Sequence, residues 1–595
     1  MLSKLPLVPF EMVVALTLWS SIAVTLTDDF HMDDATGLTF PQEASMKTSQ
    51  LHFVPEFGQE RHLFCPHLYT MRRHLGWRLD MDEGEERFEN LEYKCVSVIK
   101  LFMPRKIKSF SWEMGTCVPE EILAEKGILG RMHPTIQSLR LITDPECPRG
   151  ACEPMRLPNF RQLKRLSWKG PNAACLLELG RLIIKSSQHL QEVEIDLLDW
   201  ERVEEINGYY DDSDSEDWAT GSDDYWVDSS RNGDKKAGFF ACIWNQHLRT
   251  TTPRPIFNAL TKLSLSHVRV GPGLIDEMNI GLLRSLTLRS CPKWTSFLEY
   301  APKLNVALKL KELEIEDHDD WPNPPRLSTL WGFLDSFSGL QKLYLSFEEL
   351  IGILPPCGHI SRHRDTLQRL AQYDGVIDNT LIWNSEDSQE ESDRDGDGKA
   401  PIQDPSSNLH LECLGLGCEP ETVPEVLNNF GPISSLKVLH MRPETTDERR
   451  FTRPVDENGR SPSDDRAVDA FKDPESDLLA DPTAEDPTGN TPQVAMQSTR
   501  SARLLEPFTT LAKWAFGPEG PPSLKFITCG DFAHYGYCDK ECFIVGRGSE
   551  GDDEFRLIAP RSSEWKEVLR HYGDLLESCP DQPLYEWPDH PRPDW

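Results

Sequence analysis

The sequence predicts an α/β solenoid, in which short parallel strands form a curved sheet and helices pack outside it. Three observations predict it. A short apolar pattern with the spacing of a strand recurs along most of the chain, the segments between its copies have the period of helices, and the acidic excess is concentrated in three stretches. A repeating strand and helix cannot bury its apolar face alone and must stack on its neighbours.

The recurring pattern is apolar-x-x-apolar-x-apolar, and its first four copies begin 27 to 29 residues apart. This spacing is typical of leucine-rich repeats, and ten regular copies make a chance pattern within leucine-rich helices the weaker interpretation. A degenerate copy at Leu367 and Leu370 fills one gap, and a last copy begins at Leu524. The complete copies are Ile107, Phe110, Trp112; Ile136, Leu139, Leu141; Leu163, Leu166, Trp168; Leu190, Val193, Ile195; Leu260, Leu263, Leu265; Leu283, Leu286, Leu288; Leu310, Leu313, Ile315; Leu340, Leu343, Leu345; Leu411, Leu414, Leu416; Leu436, Leu439, Met441; and Leu524, Ile527, Cys529.

The segments between the copies have helical periodicity. In residues 173–186, for example, Leu176, Leu179, Leu182 and Ile183 recur on one face of a helix. Each unit is therefore predicted to be a strand followed by a helix. Stacked units would place the strands along one concave surface, which is the candidate binding surface.

Three acidic stretches interrupt the repeats. Residues 201–234 contain 12 acidic and 2 basic side chains, residues 381–406 contain 8 and 2, and residues 443–503 contain 14 and 8. They have few apolar residues, so burial cannot offset the entropy of ordering them. We expect long, disordered, acidic insertions that lengthen loops without breaking the solenoid.

The predicted organisation has four parts. Residues 1–94 form an N-terminal cap, and residues 95–442 form the solenoid with insertions near 201–238 and 381–406. Residues 443–505 form the third insertion, rich in Pro, Ser and Thr. Residues 506–595 contain the last repeat and a C-terminal cap.

Charge and cysteine content restrict partners and compartment. The formal net charge of −34 repels nucleic acid phosphates and anionic membranes, so neither is an expected partner. The 15 scattered cysteines and the lack of an Asn-x-Ser/Thr acceptor favour an intracellular protein, in the cytoplasm or nucleus. A secretory signal peptide in residues 5–25 is the alternative, although Pro6, Pro9 and Glu11 interrupt its apolar run.

The side chains that alternate with the apolar triplets point away from the core. They form the expected binding surface for a protein partner. The residues expected to bind that partner on the concave face are Arg140, Arg165, Lys169, Glu192, Glu194, Asp196, Lys262, Thr287, Arg289, Glu312, Glu314, Glu316, Lys342, Tyr344, His440 and Arg442.

Two of the predicted strands present only carboxylates on this face. Three carboxylates on one strand face repel one another unless a base offsets them. A basic segment of the partner would supply that base. A solvated face kept charged for solubility is the alternative and is the commoner case for charge rows. The two strands carry Glu192, Glu194, Asp196 and Glu312, Glu314, Glu316.

Motifs for metals and cofactors are incomplete. Residues 393–404 match a calcium loop at five positions, but position 12 is Asp404 rather than Glu and Pro401 lies inside the loop. Gly546, Gly548 and Gly551 have dinucleotide-fingerprint spacing, but a strand-like run at 555–558 follows instead of a helix, which favours a hairpin.

Cys538 and Cys542, with His534 nearby, lack the second ligand pair of a zinc site. The sequence also contains no nucleophile elbow, zinc-protease motif, phosphate loop or kinase signature. We therefore expect no cofactor, no metal and no enzymatic activity.

The chain resembles the fungal F-box and leucine-rich-repeat proteins over roughly residues 107–583. The resemblance rests on Leu163-Lys-Arg-Leu-Ser-Trp168-Lys-Gly170, Leu197-Leu-Asp-Trp200, Leu436-Lys-Val-Leu-His440, Leu524-Lys-Phe and the tail 575–580. It implies a substrate-recruiting subunit of a cullin ubiquitin ligase, whose N-terminal F-box docks on the adaptor while the repeats hold the substrate.

Only the start of an F-box is recognisable in this sequence. Leu5-Pro6 and the apolar residues 10–19 resemble its opening helix, so residues 1–25 would contact the adaptor. No second or third helix follows, so the F-box is degenerate or missing. A repeat scaffold without a ligase role, or a secreted binding protein, is the alternative function.

Overall fold

The fold is taken from a computed structural model. It describes residues 14–17, 21–26, 49–55, 81–145, 147, 156–172, 175–197, 255–317, 324–347, 357–373, 409–429, 434–442, 452–453, 503–504, 506–533, 542–548, 555–560 and 562–580. The chain divides into two compact units, Met1–Ser346 with Gln582–Trp595, and Phe347–Asp581. Both units combine helices with mostly parallel strands, so the α/β class is confirmed.

The first unit contains a parallel sheet that follows the order of the chain. Among the described strands from β1 to β10, the first pair, β1 and β2, is antiparallel, and each later strand pairs in parallel with the one before it. The strands are β1 Val14–Thr17, β2 Ser21–Leu26, β3 Gln50–Pro55, β4 Ser109–Trp112, β5 Ser138–Ile142, β6 Arg165–Lys169, β7 Glu192–Asp196, β8 Lys262–Ser266, β9 Ser285–Arg289, β10 Glu312–Asp317 and β11 Lys342–Phe347.

The predicted apolar triplets stack in register. Leu139, Leu166 and Val193 are Cα partners across β5, β6 and β7, and the next residues of the triplets align in the same way. Every triplet side chain is at most 4% exposed, including those of the second unit. Burial at this level removes most apolar area of each side chain from water, at about 25 cal/mol per Å². The predicted core is therefore confirmed.

The backbone repeats as regularly as the side chains. The carbonyl oxygen of Lys164, just before β6, accepts hydrogen bonds from the N–H groups of Gln191 and Glu192 at 2.8 and 3.0 Å. The carbonyl of Gln191 in turn accepts from Thr261 and Lys262 at 2.8 and 3.0 Å, although 70 residues separate the partners. The same shared carbonyl recurs at β4, β5, β9, β10 and β11. The strands from β4 to β11 thus all begin with the same hydrogen-bond geometry.

Helices connect the strands of the first unit. They are α1 Met81–Lys100, α2 Glu120–Leu123, α3 Ile128–Met132, α4 Leu176–Ser186, α5 Pro272–Asp276, α6 Trp294–Tyr300 and α7 Pro324–Asp335. Short 3-10 turns cover Ile280–Leu282 and Ala301–Leu304. Helix α4 confirms the predicted helix in residues 173–186, and its Leu179, Leu182 and Ile183 are buried.

The second unit combines parallel and antiparallel strands. Strands β12 Arg369–Tyr373, β13 Cys413–Leu416, β14 Val438–Met441 and β17 Phe526–Cys529 pair in parallel, and β18 Phe543–Arg547 and β19 Phe555–Ile558 continue the sheet antiparallel. A separate antiparallel pair joins β15 Thr452–Arg453 to β16 Arg503–Leu504. The helices are α8 Cys357–Ser361, α9 Val423–Asn429, α10 Glu506–Phe516 and α11 Ser563–Leu576.

The N-terminal region differs from the expectation. Val14–Thr17 is a strand rather than part of an F-box-like opening helix, and it pairs with Ser21–Leu26. Gln50–Pro55 adds a repeat strand that the sequence pattern missed, and its Leu51 and Phe53 are fully buried. Among the helices that the structure describes, none is long and apolar enough to cross a membrane.

Several sequence expectations lie outside the described residues. The first two acidic insertions and the calcium-like loop do so entirely, and the third insertion does so except at β15 and β16. In this short pair Thr452 is the Cα partner of Leu504, and Arg453 is the partner of Arg503. The glycine-rich hairpin is confirmed at its strands, because β18 and β19 are antiparallel neighbours and the next described residues after the glycines form β19.

Candidate functional site

The candidate site is the set of side chains that alternate with the apolar triplets on β5 to β11, which we call the charged face. Strand register places these side chains in three rows across the sheet. Arg165, Glu192 and Lys262 are successive Cα partners in the first row. Ser167 and Glu194 are partners in the second row, and Lys169 and Asp196 in the third. The sequence analysis identified these positions from their alternation with the apolar triplets.

On β5 to β7, and at Lys262 of β8, the charged face is partly exposed, and its charged side chains pair across strands. Arg165 Nε lies 3.1 Å from Glu192 Oε1, and their side chains are 62% and 41% exposed. Lys169 Nζ lies 3.3 Å from Glu194 Oε1. Opposite charges therefore alternate between neighbouring strands within hydrogen-bonding distance.

The ionised form of Glu194 is stabilised by several groups around it. Burial alone would raise its pKa, but the Lys169 ammonium, a 2.5 Å hydrogen bond from the Ser167 hydroxyl, and the charges of Arg140 and Arg289 lower the pKa to about 2. The carboxylate is consequently ionised at every physiological pH. It fixes the positions of the bases around it rather than acting as an acid or base.

Two further pairs extend the exposed part of the face. Arg140 Nε lies 3.4 Å from Glu113 Oε1, and His267 Nδ1 lies 3.2 Å from Asp196 Oδ1. Sequence reasoning missed Glu113 and His267. Glu113 continues the alternation of β4, a strand whose polar side chains were not among the expected binding residues, and His267 follows the end of β8 outside the alternation. Their positions directly after Trp112 and Ser266 were the available signal.

On β9 to β11 most of the charged face is buried, which corrects the expectation, and Glu312 and Lys342 stay partly exposed. Thr287, Glu314, Glu316 and Tyr344 are 7%, 8%, 5% and 4% exposed. Arg289 Nε lies 2.7 Å from Glu314 Oε1 and 3.9 Å from Glu316 Oε2. These side chains are structural in this conformation, and a partner cannot reach them directly.

Basic and hydroxyl groups on neighbouring strands of the protein bind the carboxylates of the charged face on β7 and β10. Glu312 lies 2.5 Å from Lys342, and Glu314 accepts hydrogen bonds from Arg289 and from Thr287 at 3.3 Å. Glu192 and Glu194 are paired on the preceding strands, as described above. Neighbouring strands thus supply the bases that we expected from a basic partner segment, and that expectation loses its electrostatic basis.

In the second unit, the two residues expected to bind a partner hold the C-terminal helix instead. Arg442 is 5% exposed, and its guanidinium donates to the carbonyl oxygens of Leu576, at 3.0 Å, and of Cys579. It also lies 3.1 Å from Asp531 Oδ1 and 4.2 Å from the centre of the Tyr373 ring. A cation at the end of α11 offsets the negative end of the helix dipole.

His440 is fully buried beside this arginine. Its Nε2 donates to the carbonyl oxygen of Gly530 at 2.8 Å, so in the neutral ring Nδ1 accepts from the Tyr373 hydroxyl at 2.6 Å. Burial, followed by the charge of Arg442, lowers the pKa of His440 to about 3. The imidazole is therefore a neutral core group, and its assignment to partner binding is wrong.

Gly415 allows this buried cluster to form. It lies between Ala371 and His440 in the strand register, and a Cβ at this position would be 2.6 Å from Tyr373 Oη. The tyrosine side chain therefore crosses over a glycine to reach the histidine. The sequence indicated only a weak repeat at Leu367 and Leu370, and this left Tyr373 unassigned.

Helix α11 covers the polar side of this sheet through apolar contacts as well. Its Trp565, Val568 and Leu576 pack in one buried cluster with Phe532 and Ile544. Cys542 joins the cluster, and its thiol donates to the carbonyl oxygen of Asp531 at 2.9 Å. A partner can reach the partly exposed side chains of the charged face, which lie on β5 to β7 and at Lys262, Glu312 and Lys342.

In comparisons with known sequences, no family model matches the chain and no curated protein is significantly similar to it.

Proposed function

We propose that the chain is a leucine-rich-repeat solenoid that binds a protein partner through the exposed part of its charged face, on β5 to β8. The observation that carries the proposal is the register of alternating charges there, with Arg165 beside Glu192 and Lys169 beside Glu194. Side chains held by such pairs lose little rotamer freedom when a partner binds. Their alternating signs select a partner by complementarity and reject one of the wrong pattern.

The leucine-rich-repeat assignment is supported by the repeat period and by the shared carbonyl that begins each strand. The first four triplets recur every 27 to 29 residues. Repeats of this length stack a strand and a helical segment, and their strands line one face of the array. Binding surfaces of stacked repeats are extended, because each repeat contributes a few side chains at a fixed spacing.

The resemblance to fungal F-box proteins supports a narrower proposal, an intracellular subunit that recruits substrates to a cullin ubiquitin ligase. The repeats would hold the substrate, and other subunits would supply the chemistry. The strand at Val14–Thr17 replaces the expected opening helix, so the resemblance alone carries this role. A scaffold without a ligase role and a secreted binding protein remain the alternatives.

Adaptor binding separates these possibilities. We expect the purified full chain to bind the purified ligase adaptor, and to lose that binding when residues 1–25 are deleted. Absence of adaptor binding by the full chain would contradict the ligase role. It would not contradict the proposal that the charged face binds a protein. A mature chain that begins after residue 23 would indicate secretion.

The charged face is tested by exchanging the charges of one pair. Photo-crosslinking from position 192 in the living source cells first identifies a partner. The double substitution Arg165→Glu with Glu192→Arg then keeps the net charge and the ion pair while reversing the pattern that the partner meets. We expect it to weaken binding about tenfold, as two mismatched contacts would.

A matched control exchanges the charges of an exposed pair away from the face. Lys303 Nζ lies 2.7 Å from Glu299 Oε1, and both side chains are more than 60% exposed. Lys303→Glu with Glu299→Lys should leave partner binding unchanged. Equal binding by wild type and by both exchanged variants would contradict the proposal.

A further inference from the structure

A second surface of the first unit lies along the edge where the repeat strands begin, and we call it the entry edge. It consists of the residues on either side of the first apolar residue of each triplet, from β4 to β11. The shared carbonyls place these residues side by side in consecutive repeats. The positions are Lys106, Thr135, Gln162, His189, Ala259, Leu282, Lys309 and Gly339 before that residue, and Lys108, Gln137, Lys164, Gln191, Thr261, Arg284, Lys311 and Gln341 after it.

The entry edge is basic in a strongly acidic chain. Six of its sixteen side chains are Lys or Arg and none is Asp or Glu, whereas the whole chain has a net charge of −34. Lys106, Lys164, Lys309 and Lys311 are exposed, and Lys108 and Arg284 are partly exposed. Glu192 and Glu312 of the charged face directly follow edge residues, and they pair with Arg165 and Lys342.

The cations of the entry edge are also unpaired, in contrast to those of the charged face. Within the described ranges, no ion pair joins any of the six to a carboxylate. Lys108 Nζ instead donates to Thr135 Oγ1 at 2.7 Å, and Arg284 Nη1 donates to the carbonyl oxygen of Lys309 at 3.1 Å. Arg284 lies on the β9 repeat and Lys309 and Lys311 lie on the neighbouring β10 repeat, so three positive charges lie on adjacent repeats with no ion-paired carboxylate among the described residues.

We propose that the entry edge binds an extended acidic segment of a partner protein. Neighbouring strands are about 4.8 Å apart, so the distance from Lys164 on the β6 repeat to Lys311 on the β10 repeat is about 19 Å, and from Lys108 about 29 Å. An extended peptide advances about 3.3 Å per residue. A segment of about six to nine residues rich in Asp and Glu matches this length and charge.

The observations favour a peptide over a nucleic acid. The sixteen positions contain no Phe, Tyr or Trp, whereas single-stranded nucleic acids are held by base stacking on aromatic side chains. A long polyphosphate would also meet the repulsion of the net negative chain. A short acidic segment is attracted by the positive charges of the entry edge and is repelled less than a long polyphosphate by the rest of the negatively charged chain. This surface is distinct from the charged face, and its proposal does not depend on the partner of that face.

The test measures the binding of a fluorescein-labelled peptide of ten glutamates to the full chain by fluorescence anisotropy at low salt. We expect saturable binding that weakens as salt is added. The triple substitution Lys164→Glu, Lys309→Glu and Lys311→Glu should weaken it on the order of tenfold or more, since each exposed contact contributes modestly. The corresponding triple substitution to Gln should weaken it less but measurably.

The matched control makes the same charge change at lysines outside the sixteen positions of the entry edge. Lys100→Glu, Lys126→Glu and Lys185→Glu replace three exposed lysines on or near helices of the same unit. It should leave peptide binding within about twofold of wild type, because only the long-range net charge changes. Thermal melts of all variants should coincide, since every substituted side chain is exposed.

Three results would overturn the proposal. The first is equal binding by wild type and the edge variants, or an equal loss in the control. The second is tighter binding of a labelled ten-nucleotide oligothymidylate than of the glutamate peptide, which would assign the edge to nucleic acid. The third is binding that appears only after residues 201–234 are deleted, which would assign the edge to the chain's own acidic segment.

Discussion

Replacing Arg442 by Met tests how the second unit holds its C-terminal helix. Met keeps the apolar stem but removes the guanidinium from Asp531 and from the carbonyl oxygens of Leu576 and Cys579. The arginine and aspartate side chains are 4% and 6% exposed. Removing one partner of a buried pair costs about 3–5 kcal/mol. Asp531 keeps a 2.8 Å bond from the N–H of Ala533, so we expect about 3 kcal/mol.

Hydrogen exchange of the peptides from α11 measures this cost locally. A loss of about 3 kcal/mol should speed their exchange by on the order of 10²-fold, provided that they exchange by local opening. Lys437→Met is the matched control, because Lys437 lies at the other end of β14 and pairs with Glu412 at 2.8 Å with both side chains over a third exposed. We expect at most about 1 kcal/mol there. Equal exchange of α11 in the two variants would refute the role of Arg442.

Three further predictions concern single groups. The free energy of unfolding of the second unit should fall as the pH is lowered from 6.5 to about 3, because His440 binds a proton in this range in the unfolded chain but not in the folded one. The variant His440→Gln should depend less on pH in this range, and an equally steep dependence would contradict the prediction. Gly415→Ala should lower the melting temperature because its Cβ would crowd Tyr373, whereas Gly332→Ala, in open space on α7, should preserve or raise it. Similar shifts in the two variants would contradict the close packing of Tyr373 over Gly415. A double-mutant cycle on Lys169 and Glu194 should give a favourable coupling free energy of about 0.2–1 kcal/mol in unfolding experiments, and zero coupling would show that the ion pair does not stabilise the fold.

The core and register were predictable because they depend on local spacing. A triplet such as Leu163, Leu166 and Trp168 determines which side chains face inward, and a one-residue slip would expose all of them. Even Trp168 has a hydrogen-bond partner for its ring, since Nε1 donates to Thr143 Oγ1 at 2.8 Å on the neighbouring repeat. The strand at Gln50–Pro55 was missed because the residue three positions before Leu51 is Thr48 rather than an apolar residue.

The exposure of the polar residues was not predictable from spacing. Alternation identifies the side of the sheet on which Arg442 lies, but α11 reaches that side only through contacts with residues as far as 137 positions away. The same limitation applies to Glu314, which sequence reasoning placed on an exposed binding surface and which is 8% exposed. Reversal of Glu312, Glu314 and Glu316 to Lys should therefore destabilise the fold rather than only weaken binding, because Arg289 would face unpaired buried cations.

Disulfide trapping of neighbouring strands tests the register of the charged face most directly. Arg165 and Glu192 are Cα partners on β6 and β7, so their Cα atoms are about 4.8 Å apart, within the range that a disulfide bridges. Arg165 and Glu194 are offset by two residues, which separates their Cα atoms by about 8 Å and prevents a bridge. We predict that Arg165→Cys with Glu192→Cys forms a cross-link in oxidised glutathione, seen by peptide mass spectrometry, and that Arg165→Cys with Glu194→Cys does not. Preferential cross-linking of the offset pair, or of neither pair, would contradict the stacked, in-register strands on which the charged face depends.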